Sequence, residues 1–315
     1  MARVVTPRRT RRTSSERSAP TSDQTVRLAL DHGRDQATLV IRAQEKRRRT
    51  VRRAPSVPQG LLIAEGDSWF DYPLVDVLDE LEDTFGYEME SVAHKGDTVE
   101  EMAYDATQLA GLARKFQKLS ENGRTPRAIL LSGGGNDVAG DEFAVLLNHK
   151  QSGLPALNQW IVKGVLEERL LFAVVSLASQ VTELSKRYFK GRVTPVFLHG
   201  YDYPVPDGRG FLSGFWVLPG PWLEPGFRQK GYQVLAQRCD IMVDLIDRFN
   251  AVLEGIPAHP GLGHVRYIDL RGTLSNELAG SRYKQWWANE LHPTAGGYRV
   301  VAAKFHAAIS PLPIP

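Results

Sequence analysis

From residue 60 onward the chain repeats one pattern five times: a short apolar run, then a longer amphipathic stretch. The strand candidates are Leu61–Ala64, Glu88–Ala93, Ala128–Leu131, Val193–Leu198 and Val265–Leu270, the second and last of them mixing polar residues among the apolar ones. Between them the apolar residues move to helical spacing. Leu74, Val77, Leu78 and Leu81 mark a helix over 74–83, and a second is predicted over Thr98–Lys118. Val174, Leu177, Val181, Leu184 and Tyr188 place a long helix near Leu166–Phe189. Two more are predicted over Val234–Leu253 and Thr294–Ile309. Strands that alternate with helices form a parallel sheet covered on both faces. The expected fold is therefore α/β, a three-layer α/β/α sandwich on a five-stranded parallel sheet. In such sheets the functional groups gather outside the carboxyl ends of the strands, so the segments just after each strand are the ones to read.

Composition removes several alternatives. Hydrophobic residues make up 42% of the 315, enough for a packed interior. Cys239 is the only cysteine, which excludes a disulfide scaffold and is most simply a structural thiol. The longest largely apolar run, Leu170–Ala178, falls well short of the ~20 residues that span a bilayer. The formal charge of +3 conceals an asymmetry: residues 1–55 carry 15 Lys+Arg against 5 Asp+Glu, leaving the remainder acidic. Residues 1–57 are expected to form a basic, largely disordered arm, and 58–315 the folded domain. The arm begins without the apolar core of a signal peptide, so a cytoplasmic location is expected, a signal-less export route aside. Its cluster Lys46-Arg47-Arg48-Arg49 with Arg52 and Arg53 suits weak contact with polyanions or an anionic lipid surface. It equally suits a solvated, self-repelling tail. No aromatic residue interleaves the arginines, so the stacking platform of a single-strand binder is missing.

Four strand ends carry chemistry. After the first strand comes Gly66-Asp67-Ser68, where a serine at a strand-to-helix turn can expose its hydroxyl; the same triplet is also an ordinary helix cap. After the second, Gly96 in His94-Lys95-Gly96-Asp97-Thr98 can bring a backbone amide close to a ligand, or simply form the loop. After the third, Gly133-Gly134-Gly135 precedes Asn136-Asp137. One glycine would suffice for a turn, and a side-chain amide against a glycine-lined hollow is a candidate oxyanion donor. A phosphate loop is set aside because no Gly-Lys-Ser/Thr follows. Near the C-terminus His292 stands in Leu291-His292-Pro293, just before a helix start.

Taken together and in this order, the four segments resemble the SGNH (GDSL-like) hydrolase family, across about residues 60–309. The resemblance implies a flavodoxin-like sheet and hydrolysis of an ester through an acyl-enzyme. On that reading Ser68 is the nucleophile and His292 the general base. The amides of Ser68 and Gly96 and the side chain of Asn136 form the oxyanion hole. No metal or organic cofactor is implied. The family commonly has an aspartate three residues before the histidine. Here Asn289 holds that position, so it is assigned as the orienter, with Asp269 as a second candidate acid and Glu290 adjacent.

For the substrate the sequence offers Trp216 and Trp222 in the Pro/Gly-rich stretch 211–227, placed to wall an acyl pocket or form a lid, or simply to pack on the body. Trp286 and Trp287 offer the same choice. The expected partner is a small-molecule, lipid or carbohydrate ester, with an acyl chain preferred over an acetylated sugar. Acyl transfer to an acceptor other than water would use the same residues. A silent ligand-binding protein whose arm does the biological work is the alternative from another class. Oligomeric state leaves no mark in the sequence.

Overall fold

The computed structural model of the protein describes residues 58–140, 142–211 and 219–315. The basic arm and Trp216 lie outside these residues. All five expected strands are present: β1 (Leu61–Gly66), β2 (Glu88–Ser91), β3 (Ala128–Ser132), β4 (Val196–His199) and β5 (Val265–Ile268). They pair in parallel, in the order β2-β1-β3-β4-β5. This is the flavodoxin-like order, whose switch point lies between β1 and β3. Every residue of β1, β3 and β4 is buried, as expected of strands covered on both faces.

Two helical layers enclose the sheet. On one side α1 (Val77–Asp83) packs against the C-terminal helix Ala295–Ile309. On the other side α2 (Val99–Tyr104) and α3 (Ala106–Glu121) pack against a long helix at Leu171–Tyr188, and Leu235–Gly255 packs against the stretch Gly164–Leu170 that leads into it. Numbered in chain order, the short helices Gly135–Val138 and Gln159–Lys163 are α4 and α5, and Leu171–Tyr188 is α6. Glu224–Gln229, Leu235–Gly255 and Ala295–Ile309 are then α7, α8 and α9.

The helix over Thr98–Lys118 is in fact two. Asp105 ends α2 and caps α3, its Oδ1 accepting the amides of Thr107 at 2.6 Å and Gln108 at 3.1 Å. A short carboxylate that can take two orphan amides offers the backbone a better alternative than continuing the helix. Thr98 opens α2 with a reciprocal cap, its hydroxyl accepting from Glu101 N while Glu101 Oε2 accepts from Thr98 N. The first helix starts at Val77 rather than Leu74, because Asp76 caps it by accepting the Asp79 amide at 2.8 Å. Ahead of α6 the chain runs through a wide π-type stretch, Gly164–Leu170. Among the described residues no helix is long and apolar enough to cross a membrane.

Candidate active site

Ser68 sits on a tight turn directly beyond β1. Gly66 permits that turn: a Cβ there would lie 2.7 Å from the Ser132 side chain, so only glycine lets the ends of β1 and β3 approach this closely. Asp67, 2% exposed, fixes the turn from inside. Its Oδ1 accepts the Trp69 amide at 3.0 Å and the Ser132 hydroxyl at 2.8 Å, and its Oδ2 accepts the Tyr201 hydroxyl. The buried His199 adds to this cluster, with Nε2 2.7 Å from Ser132 Oγ and Nδ1 2.7 Å from the Gly200 carbonyl. A polar layer from β1, β3 and β4 thus underlies the serine. Sequence reading missed it, because its members are scattered over 134 residues and no local motif marks them.

Above this layer Ser68 meets His292. Ser68 Oγ lies 2.8 Å from Nε2, and Nδ1 lies 3.0 Å from Asn289 Oδ1. The protonation pattern follows from the neighbours. Asn289 Oδ1 also accepts the amides of Leu291 at 2.9 Å and His292 at 2.8 Å, which fixes that atom as the oxygen. An oxygen can only accept, so Nδ1 carries the hydrogen and Nε2 is left to accept from Ser68. Tyr72 stacks on the imidazole at 4.3 Å and its hydroxyl accepts from Asn289 Nδ2 at 3.0 Å. Trp222 meets the ring edge-on at 5.4 Å. The histidine is therefore held between two aromatic rings and is only 5% exposed. Burial away from any anion pushes it down to about 3, so at neutral pH it is an uncharged base. Tyr72, four residues beyond the serine, was not distinguishable in the sequence from any other aromatic.

The other two nominated acids are engaged elsewhere. Asp269 accepts from the Arg271 guanidinium at 2.8 and 2.9 Å. Glu290 is fully buried and accepts four amides, those of Gly208, Trp222, Leu223 and Glu224, at 2.7 to 3.0 Å. Burial holds its carboxyl above the usual range in spite of these donors. It thereby fastens the segment bearing Trp222 to the histidine turn.

The oxyanion candidates flank the switch point between β1 and β3. Asn136 sits at the start of α4, and its Nδ2 donates one hydrogen to the Asp97 carbonyl at 2.8 Å, which leaves the second free. Gly96 is exposed, with φ +95°, and immediately precedes Asp97. Lys95 N is held by Asp71 Oδ2 at 3.0 Å. Among the described residues, neither the Ser68 nor the Gly96 amide is engaged in a hydrogen bond. The three consecutive glycines have a packing reason. A Cβ on Gly133 would lie 2.6 Å from Val99, one on Gly134 2.5 Å from the Phe249 ring, and one on Gly135 3.2 Å from Tyr201. Gly134 also needs φ +105°.

Beside Ser68 lies a cavity of about 40 Å³, with Asn136 and His292 also on its wall. Leu223, Trp287 and the α8 residues Met242, Ile246 and Phe249 contribute the apolar lining. Trp287 is 1% exposed; Trp286 is half-buried and Trp222 lies on the imidazole rather than in this lining. A larger open groove of about 810 Å³, flanked by Phe172, Lys186 and His259, contains none of the residues that the motifs nominate. Among the described residues no group of three or more His, Cys, Asp or Glu is placed to hold a metal ion. Cys239 is buried and pushed up to about 11, which leaves it a thiol.

No family model and no curated protein sequence matches the chain. Among solved structures it is similar to a variant of Axe2, an acetylxylan esterase from Geobacillus stearothermophilus, at 17% identity and TM-score 0.46, covering 80% of this chain and 94% of that one. It is also similar to LAE5, an α/β hydrolase enzyme from the metagenome of Lake Arreo, at 16% identity and TM-score 0.44, covering 80% and 96%. A third is a GDSL-like lipase from Parabacteroides merdae, described as putative, at 11% identity and TM-score 0.39, covering 80% and 96%.

Proposed function

We propose that the protein is a serine ester hydrolase of the SGNH (GDSL-like) type. The observation that carries the reading is the run of hydrogen bonds from Ser68 through His292 to Asn289, with the base nitrogen facing the hydroxyl. His292 takes the proton of Ser68 as Oγ bonds to the ester carbonyl carbon, and returns it to the alcohol oxygen as the ester C–O bond breaks. Water, deprotonated by the same imidazole, then attacks the acyl-enzyme, and the proton passes back to Ser68 Oγ as the acid leaves. The unengaged amides of Ser68 and Gly96 and the free hydrogen of Asn136 are assigned to the oxyanion. Trp222 is assigned to holding the imidazole face at the substrate rim.

Asn289 favours a second reading, a weak or silent member of the same class. An asparagine orients the imidazole but gives the imidazolium no negative charge, and the corresponding loss in one serine protease is ~10⁴ in rate. One experiment separates the two. Hydrolysis of p-nitrophenyl acetate is measured for the full chain and for Ser68→Ala, alongside covalent labelling by a fluorophosphonate. Turnover and labelling that both vanish in the variant support the hydrolase. A folded protein with neither leaves a binding protein, and the basic arm, read from sequence as an accessory polyanion contact, becomes the part to study.

A further inference from the structure

The cavity beside Ser68 carries information about the substrate, on the reading that Ser68 is the nucleophile. Its size is about 40 Å³. That is the room open to the centre of a water-sized group, which makes it a small hollow beyond the serine. Apart from Ser68, His292 and Asn136, which are assigned to the reaction itself, its polar side chains have nothing left to offer a ligand. The Tyr201 hydroxyl is committed to Asp67, and the Asp202 carboxylate accepts the amides of Tyr203, Gly272 and Leu274. A sugar hydroxyl placed here would lose water and gain no partner, which is costly; a hydrocarbon group loses nothing.

The far wall does not yield easily. Met242, Ile246 and Phe249 all stand on α8, a helix of 21 residues, and are 2%, 4% and 0% exposed. Phe249 is packed so closely on Gly134 that a single added carbon there would overlap its ring. Lengthening the cavity means displacing a helix that is itself part of the core.

We propose that this cavity is the acyl pocket and that its α8 wall limits the acyl group to a short chain, with the alcohol part of the ester lying outside it. The pocket thereby selects short-chain esters against lipid-length ones, opposite to the sequence-based preference for an acyl chain over an acetylated sugar. The alcohol is left unselected by this cavity.

The test uses the full chain with p-nitrophenyl acetate, butyrate and octanoate, comparing kcat/KM. Acetate and butyrate are expected within about tenfold of each other and octanoate at least a hundredfold below. Two variants move the boundary in opposite directions. Ala139→Leu fills the pocket from its half-buried rim and lowers the butyrate-to-acetate ratio at least tenfold. Met242→Ala shortens the wall and raises the octanoate-to-acetate ratio at least tenfold. Because Met242 is a core residue, Ile246→Val serves as a milder version, expected to shift the ratio the same way. Wild-type turnover of octanoate at or above that of acetate would overturn the proposal while leaving the serine mechanism standing. So would ratios unmoved in folded variants. No turnover of any ester, with Ser68 unlabelled by fluorophosphonate, would remove the hydrolase reading and the pocket assignment with it.

Discussion

Replacing Asn289 by aspartate tests whether this histidine works without an anion. The side chain is 1% exposed and its Oδ1 sits 3.0 Å from His292 Nδ1, so a carboxylate would lie about 4 Å from the centre of the imidazolium charge. At an effective dielectric constant of about 20 that pair is worth about 4 kcal/mol, or about three pKa units at ~1.36 kcal/mol each. His292 would rise from about 3 to about 6. The geometry survives the change, because the two amides and Nδ1–H still find an oxygen, and the Tyr72 hydroxyl turns from acceptor to donor. Burying the new carboxylate offsets part of the gain. Asn289→Asp is thus expected to raise kcat/KM for p-nitrophenyl acetate at pH 7 by about 10- to 1,000-fold. It should also bring an acid limb into the pH–rate profile near pH 6, where the parent profile shows none from this group above about pH 3. An Asn289→Asp protein that is folded, no faster, and unchanged in profile would refute the assignment of Asn289 as the orienter.

Three further outcomes are expected. Asn136→Ala should lower kcat by 10²- to 10³-fold, about 2.7–4 kcal/mol of barrier, with little effect on KM; an equal rise in KM alone would place Asn136 in ground-state binding instead. Glu65, 2% exposed, is pushed up to about 8 chiefly by burial, with Asp97 adding to it. The folded protein therefore keeps this proton up to about pH 8 while the unfolded chain releases it near 4.5, and stability falls as pH rises through that interval. Glu65→Gln, which can still accept the Gly66 amide, should raise stability by a few kcal/mol at pH 8.5, about 5 at most, and by little at pH 4.5; a gain equal at both pH values would exclude titration as its cause. Glu290→Gln turns an NH₂ group toward two of the four amides the carboxylate now accepts. Thermal denaturation should show a loss of about 2–6 kcal/mol, at ~1–3 per unsatisfied buried amide, and no loss would mean the amides find other partners.

How much was legible before the structure differs by feature. The three inner strands were, since a buried parallel strand writes itself as an uninterrupted apolar run, and Leu61, Ile129 and Val196 lie inside such runs. Helix ends were less so. Periodicity carried the second helix straight across Asp105, although an aspartate followed by Thr107 and Gln108 is a local capping signal that outweighs it. At the site, the sequence placed Ser68, Asn136 and His292 at strand ends, and the fold brings Ser68 and His292 into hydrogen-bond contact from 224 residues apart. The reason for three glycines was illegible because Val99, Phe249 and Tyr201, whose side chains they clear, come from three distant elements. The cavity wall was hidden for a related reason. Met242, Ile246 and Phe249 follow the spacing of any core helix, and only the tertiary arrangement turns one end of that stripe toward a nucleophile.

The clasp made by Glu290 has a consequence for how such a site could vary. Gly208 at one end and Trp222, Leu223 and Glu224 at the other are gathered by the same carboxylate, one residue after Asn289. Arg209 reinforces the near end by donating to the carbonyls of Trp287 and Ala288, both at 2.9 Å. Residues 208 and 222–224 are thus two feet that stand together against the histidine turn. Closing a longer loop on the same feet adds only ~0.6 kcal/mol for each doubling of its length. The feet, rather than the number of residues joining them, are therefore what hold Trp222 against the imidazole.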